Sequence, residues 1–220
     1  MKVGVLALQG DVPEHVRALA GLLPPDAIVA VTRPAELLGI EALFLPGGES
    51  TTIGRLLHES GLDEAIRTRL HAGFPVLATC AGLILLAREI DPTPGGAPET
   101  LGILDVTIRR NDFGRQRESF EAEVDVDGLK EPFPGVFIRA PRIVAVGPRA
   151  RPIARWGDEV VGVRQGSIWG FSFHPELAGD PRIHARFLEA ALGPGYAKTA
   201  SHHATTKSTK HTDPTATASQ

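Results

Sequence analysis

Short apolar runs alternate, over the first ninety positions, with longer stretches in which apolar residues recur every three or four places. VGVLAL (3–8) reads as a first strand, and Val12, Val16, Leu19, Leu22 and Leu23 then fall on one helix face. AIVAV (27–31) and ALFLP (42–46) read as the second and third strands, with helices over Thr52–Glu59 and Leu62–Ala72. FPVLAT (74–79) is almost continuously apolar, as in a strand buried on both faces, and AGLILLARE (81–89) has the length and composition of a helix. Strand and helix in alternation predict a parallel sheet covered on both sides.

After DPTPGGAPE (91–99) the rhythm changes. ILDVTI, FEAEVDV, GVFIRA, RIVAVG, EVVGVR and SIWGFSF are short, closely spaced and more often alternating, which favours antiparallel pairing. A closing helix is predicted over Asp180–Leu192, with Asp180 as its cap, Pro181 at its first position and Gly193 just beyond its end. The expected fold is α/β: a three-layer α/β/α sandwich with a mostly parallel central sheet and added antiparallel strands. From Tyr196 onward nothing large and apolar follows, and Ala, Thr, Ser, Lys and His dominate. The expected division is a folded domain over residues 1–195 and a disordered tail over 196–220.

Composition narrows the function classes. A chain of 220 residues, 42% hydrophobic and 22% charged, can build one domain with a substantial core. A formal net charge of -3 gives no bulk attraction to nucleic acid. No apolar run reaches the roughly 18 residues a membrane-spanning helix needs. Gln9 and Asp11 cut VGVLAL short, so it reads as a strand and not as a signal peptide. One cysteine cannot form an internal disulfide, which points to a reducing, cytoplasmic setting. His202, His203 and His211 have no cysteine or carboxylate cluster beside them, so no metal site is assigned. A small molecule or another protein is the expected partner.

The single cysteine, Cys80, lies between a strand and a helix. Free cysteine is usually a small buried hydrophobe, and the segment alone does not separate core filler from nucleophile. Ligands of open parallel sheets bind beyond the carboxyl ends of the strands, which gathers Gln9 and Gly10, PGGEST (46–51) and Cys80 at one edge. A helix dipole of about 1 kcal/mol lowers a thiol pKa by only about 0.7 unit, so a nucleophilic Cys80 needs a base. SFHPE (172–176) supplies one: His174 and Glu176 alternate along an extended chain and can lie on one side. Cys80, His174 and Glu176 would then be nucleophile, base and orienting acid. Singly, each has a plainer reading, as core thiol, structural histidine and turn.

ATCAG around Cys80, PGGEST and FHPE, in that order, resemble the class I or triad glutamine amidotransferases. LALQGDVPEH (6–15), LPGGESTTI (45–53), RNDFGRQRESFEA (110–122) and VFIRAP (136–141) narrow the resemblance to the glutaminase subunits of pyridoxal 5'-phosphate synthase, over about residues 1–192. The resemblance implies hydrolysis of L-glutamine to glutamate and ammonia by Cys80, His174 and Glu176, with no cofactor. It also implies delivery of the ammonia to a separate synthase subunit that makes pyridoxal 5'-phosphate (vitamin B6). It assigns glutamine binding to Gly48, Glu49, Ser50, Arg110, Ile138 and Arg139. Oxyanion donors would come from Gly48 and Ala81, with Gln9 nearby and responsive to the partner. Two positions depart from related patterns: Ala78 stands where many relatives have glycine, and Ile84 where the broader class often has glutamine. The competing readings are a glutaminase of another pathway and a redox-sensing member of the same superfamily.

Overall fold

The structure, a computed structural model, describes residues 1–91, 98–110 and 119–194. Among them the strands are β1 (Val3–Leu6), β2 (Ile28–Val31), β3 (Ala42–Leu45), β4 (Val76–Thr79), β5 (Ala87–Ile90), β6 (Leu104–Arg109), β7 (Ser119–Val126), β8 (Phe133–Ile138), β9 (Arg142–Val146), β10 (Arg151–Trp156), β11 (Glu159–Gln165) and β12 (Ile168–Phe171). The helices are α1 (Val12–Ala20), α2 (Pro34–Leu37), α3 (Ser50–Ser60), α4 (Leu62–His71), α5 (Ala81–Leu86) and α6 (Arg182–Leu192).

The large sheet runs β2-β1-β3-β4-β12-β11-β10-β7-β8. From β2 to β12 neighbouring strands are parallel, and from β12 to β8 they are antiparallel. A second sheet, β5-β6-β9, shares no strand pairing with it and packs into the same core. The parallel part explains its own sequence. Leu43, Leu45, Val76 and Ala78 join Ile53, Leu57, Ile66 and Leu83 in one core, under α3, α4 and α5. Ala42, Phe44 and Leu77 point the other way, to Leu19 of α1 and Ile183 and Phe187 of α6. A strand with apolar neighbours on both faces has no polar positions to alternate with, hence the unbroken runs. In β7, by contrast, exposed and shielded residues alternate along most of its length, because one face of that part meets water.

The predicted layers and the switch from parallel to antiparallel pairing are present, with three local corrections. The helix after Cys80 stops at Leu86, and Ala87–Ile90 is strand β5, parallel to β6. The Ala-Arg-Glu stretch favours helix, but pairing with β6 and an ion pair from Arg88 to Asp105 (3.0 Å) override that weak preference. Strand β10 has no clear sequence signal, because Pro152 and two flanking arginines blur its alternation. Asp180 lies one residue outside the cap: Pro181 is the capping position of α6, and Asp180 Oδ1 accepts from the Arg182 amide at 2.9 Å. No described helix is long and apolar enough to cross a membrane. The proposed tail over 196–220, and the three histidines in it, lie outside the described residues.

Candidate active site

Cys80 sits in the one-residue turn from β4 into α5, at φ 47° and ψ -104°. A β-carbon makes positive φ unfavourable, by about 1–3 kcal/mol, and such strain survives only where neighbours over-determine it. Here they do. The Cys80 amide donates to the Phe171 carbonyl (2.9 Å), and the Cys80 carbonyl accepts from the Ile84 amide (3.2 Å). Gly82 completes the turn, since any β-carbon there would run into the Leu45 carbonyl of β3. Cys80 as a residue is 6% exposed, and its Sγ lies 3.8 Å from the Ile138 carbonyl oxygen.

His174 follows the end of β12, the strand beside β4, with its amide bonded to the Val136 carbonyl (2.8 Å). Its Nδ1 lies 2.8 Å from Glu176 Oε1 and 3.2 Å from Asp11 Oδ2. Its Nε2 is buried. Burial alone would lower the imidazole pKa. Hydrogen bonding to Asp11, Cys80 and Glu176 more than offsets this and raises it to about 12. Burial likewise works against charge on Glu176, yet His15 and the hydrogen bond from His174 hold that carboxyl down to about 2. His15 is itself driven toward neutrality by burial, so at neutral pH the hydrogen bond and the charge of His174 carry the effect. Thr79 Oγ1 donates a second one to Glu176 Oε1 at 3.2 Å.

Around the thiol opens a cleft of about 230 Å³. That is below the roughly 300–1,000 Å³ of pockets for drug-sized ligands and suits something nearer an amino acid. Gly48, Glu49, Ser50, Cys80, Arg110, Ile138, Arg139 and His174 line it, so most of the sequence-predicted residues converge. Arg139 has a positive φ, 43°, and with Cys80 is one of two non-glycine residues so strained among those described. Glu49 caps α3, accepting from the amides of Thr51 (3.2 Å) and Thr52 (2.7 Å), and its Oε1 stands 3.5 Å from Arg110 Nη2.

Gln9, Ala81 and Glu176 do not line the cleft. Gln9 Oε1 accepts from the Glu49 amide (3.0 Å) and thereby ties the end of β1 to the glycine loop. The Gly47 carbonyl accepts from the Asp11 amide (3.1 Å), and a β-carbon on Gly47 would strike the His174 ring. Ala81 opens α5, and Glu176 stands behind the imidazole. Residues 111–118 of the arginine-rich stretch lie outside the described residues.

Asp11, His15 and His184 are the residues that sequence reasoning missed. Asp11 follows directly on Gln9 and Gly10 at the predicted edge, which was the available signal. His15 and His184 sit on helices α1 and α6 and are wholly buried, and His15 Nε2 is 3.2 Å from Thr79 Oγ1. Among the described residues, Asp11, His174 and Glu176 are the grouping able to hold a metal ion, and their contacts are already those of one N–H shared by two carboxylates.

Comparison with known proteins gives a consistent picture. Residues 5–192 match the model of the SNO glutamine amidotransferase family. A protein of Streptomyces avermitilis named pyridoxal 5'-phosphate synthase subunit PdxT is 52% identical over 190 residues, covering 85% of this chain and 92% of its own. A protein of the same name from Thermococcus gammatolerans is 49% identical over 199 residues, covering 87% and 100%. A crystal structure of a glutamine amidotransferase superposes with a TM-score of 0.81 at 48% identity, over 87% of this chain and 99% of that one. A GMP synthase component from Thermoplasma acidophilum, 18% identical with a TM-score of 0.61, shares the fold over 87% and 94%.

Proposed function

The chain belongs to the SNO glutamine amidotransferase family, and from that premise we propose that it hydrolyses L-glutamine to L-glutamate and ammonia and hands the ammonia to a separate synthase subunit for pyridoxal 5'-phosphate synthesis. Relatives at about half identity named as subunits of that synthase support the pathway. The observation that carries the chemistry is the strained turn that holds Cys80 beside an imidazole whose far nitrogen lies 2.8 Å from a buried carboxylate.

In this reading the Cys80 thiol gives its proton to His174 Nε2 as the sulfur attacks the side-chain carbonyl carbon of glutamine. His174 gives a proton from Nε2 to the departing nitrogen, ammonia leaves, and a γ-glutamyl thioester remains. Water then attacks the thioester carbon while His174 takes its proton, and glutamate is released with the thiol restored. Glu176 holds Nδ1 and balances the imidazolium charge. The amides of Gly48 and Ala81 would face the oxygen on which negative charge develops. Glu49, Ser50, Arg110, Ile138 and Arg139 would seat the amino acid, with a guanidinium suited to its α-carboxylate. Gln9, bonded to the Glu49 amide, would pass partner docking on to the glycine loop. The catalytic unit so proposed is residues 1–195, working in the reducing cytoplasm.

Ammonia release from glutamine, measured with and without the synthase subunit, tests the reading. Release that rises sharply when the synthase is added is expected. A chain that releases none in either condition, or one that fails to bind the synthase, would overturn it.

A further inference from the structure

Behind the acid Glu176 lies a line of polar groups that the proposed mechanism does not use. Thr79 Oγ1 donates to Glu176 Oε1 (3.2 Å), His15 Nε2 is 3.2 Å from the same hydroxyl, and His184 Nε2 is 3.3 Å from His15 Nδ1. Every member is buried: His15, Thr79 and His184 have no measurable exposure. His184 is stacked on Phe44 with ring planes 13° apart, and His15 lies against both rings.

Two directions of donation are conceivable along this line, and counting unpaired groups decides between them. If His184 Nε2–H donates to His15 Nδ1, then His15 Nε2–H donates to Thr79 and the threonine proton goes to Glu176. The one ring atom then left over is the bare His184 Nδ1, which finds no partner among the described residues. In the reverse direction His184 Nδ1 would carry a hydrogen with no acceptor, and the threonine proton would turn away from the carboxylate. A buried N–H without a partner is rarer than a buried acceptor without one, and a carboxylate losing a donor costs more than either. Only the first direction gives Glu176 Oε1 the threonine proton in addition to the Nδ1 hydrogen of His174.

We infer that His184, His15 and Thr79 form a one-way donor chain that adds a second hydrogen bond to the Glu176 carboxylate and fixes its place, so that His174 keeps its hydrogen on Nδ1 and exchanges protons only through Nε2. The three are positioning residues, and the inference rests on the glutaminase reading only for the reaction they serve. The charged and titratable groups around His15 are Glu176, His174, Asp11 and Glu14, with His184 on its far side. Burial keeps both His15 and His184 neutral.

Nitrogen-15 NMR of the full chain at pH 7 reads the tautomers directly. Hydrogen on Nε2 and a bare Nδ1 in both His15 and His184 are expected; hydrogen on His15 Nδ1 would overturn the inference. The kinetic arm is iodoacetamide alkylation of Cys80 across pH, which has one target because the chain has one cysteine. Thr79→Val should slow alkylation at pH 7 by roughly tenfold, the scale of a lost hydrogen bond to a charged group, and displace its pH profile. Thr79→Ser should restore both. A folded Thr79→Val chain with the wild-type profile would overturn the inference. Tautomers as stated in a chain that hydrolyses no glutamine would remove the glutaminase reading and leave the donor chain standing.

Discussion

The two sides of the His174 ring are built on opposite principles. Toward the cleft stand backbone strained at Cys80 and Arg139, glycines without side chains, and partly exposed charges on Glu49 and Asp11. Away from it stand Glu176, Thr79, His15 and His184, all buried and held by aromatic packing and hydrogen bonds. In the proposed reaction the first side admits and releases a polar molecule, which suits its openness and its strained turns. The second side is closed to solvent, and Glu176 Oε2 and His184 Nδ1 are its buried polar atoms without a partner among the described residues. The imidazole is the boundary: in the proposed reaction it moves a proton on one nitrogen while the other is held by Glu176.

Substitutions on either side should separate these roles. Removing the sulfur has the largest effect: Cys80→Ala should lower glutaminase turnover by at least about a thousandfold with an unchanged melting temperature. Turnover within tenfold of wild type would remove Cys80 as the nucleophile. Glu176→Gln is expected to cost on the order of a thousandfold, because an amide can offer Nδ1 a donor and admit the wrong tautomer. Little loss there would mean that Asp11, 3.2 Å from the same nitrogen, is the acid that matters.

Gly47→Ala works at the boundary, since its new β-carbon would push the ring aside, and about a hundredfold loss of turnover is expected. Unchanged turnover would show that the ring has room to move. The smallest effect is on stability. Burial depresses the His184 pKa from 6.5 to about 3, so the folded state prefers its neutral form. The stability this represents is complete above about pH 6.5 and is lost as pH falls toward 3. At roughly 1.4 kcal/mol per pH unit, going from pH 7 to 5 should cost about 2 kcal/mol through this residue. His184→Phe, which keeps a ring against Phe44, should flatten that part of the melting curve against pH. An equally steep dependence in the variant would assign it to other groups.

Apart from Asp11 the cleft side was legible in the sequence, and apart from Glu176 the rear was not, for a physical reason. Small-residue turns at strand ends, a lone thiol before a helix and an alternating His-Pro-Glu are local patterns, each confined to a few neighbouring residues. His15 and His184 are 169 positions apart, on two helices whose apolar periodicity explains their faces without them. Nothing local marks a histidine as buried, so their meeting had to come from packing. Strand β5 was lost the same way: Ala-Arg-Glu favours helix, and only its pairing with Leu104 and Thr107 makes it a strand. The predicted layers survived because both faces of β3 and β4 are covered, which the unbroken apolar runs state directly.

Strand β12 is where the two halves of the large sheet are sewn together, and it also leads to His174. Its ladder to β4 runs from Ile168 opposite Val76 to Phe171 opposite Thr79, and the Cys80 amide adds one more rung to the Phe171 carbonyl. The gap between sulfur and imidazole is therefore measured out in main-chain hydrogen bonds, not by the side chains alone. Slippage by a single rung would carry the imidazole about 3.3 Å along the strand and turn it to the opposite face.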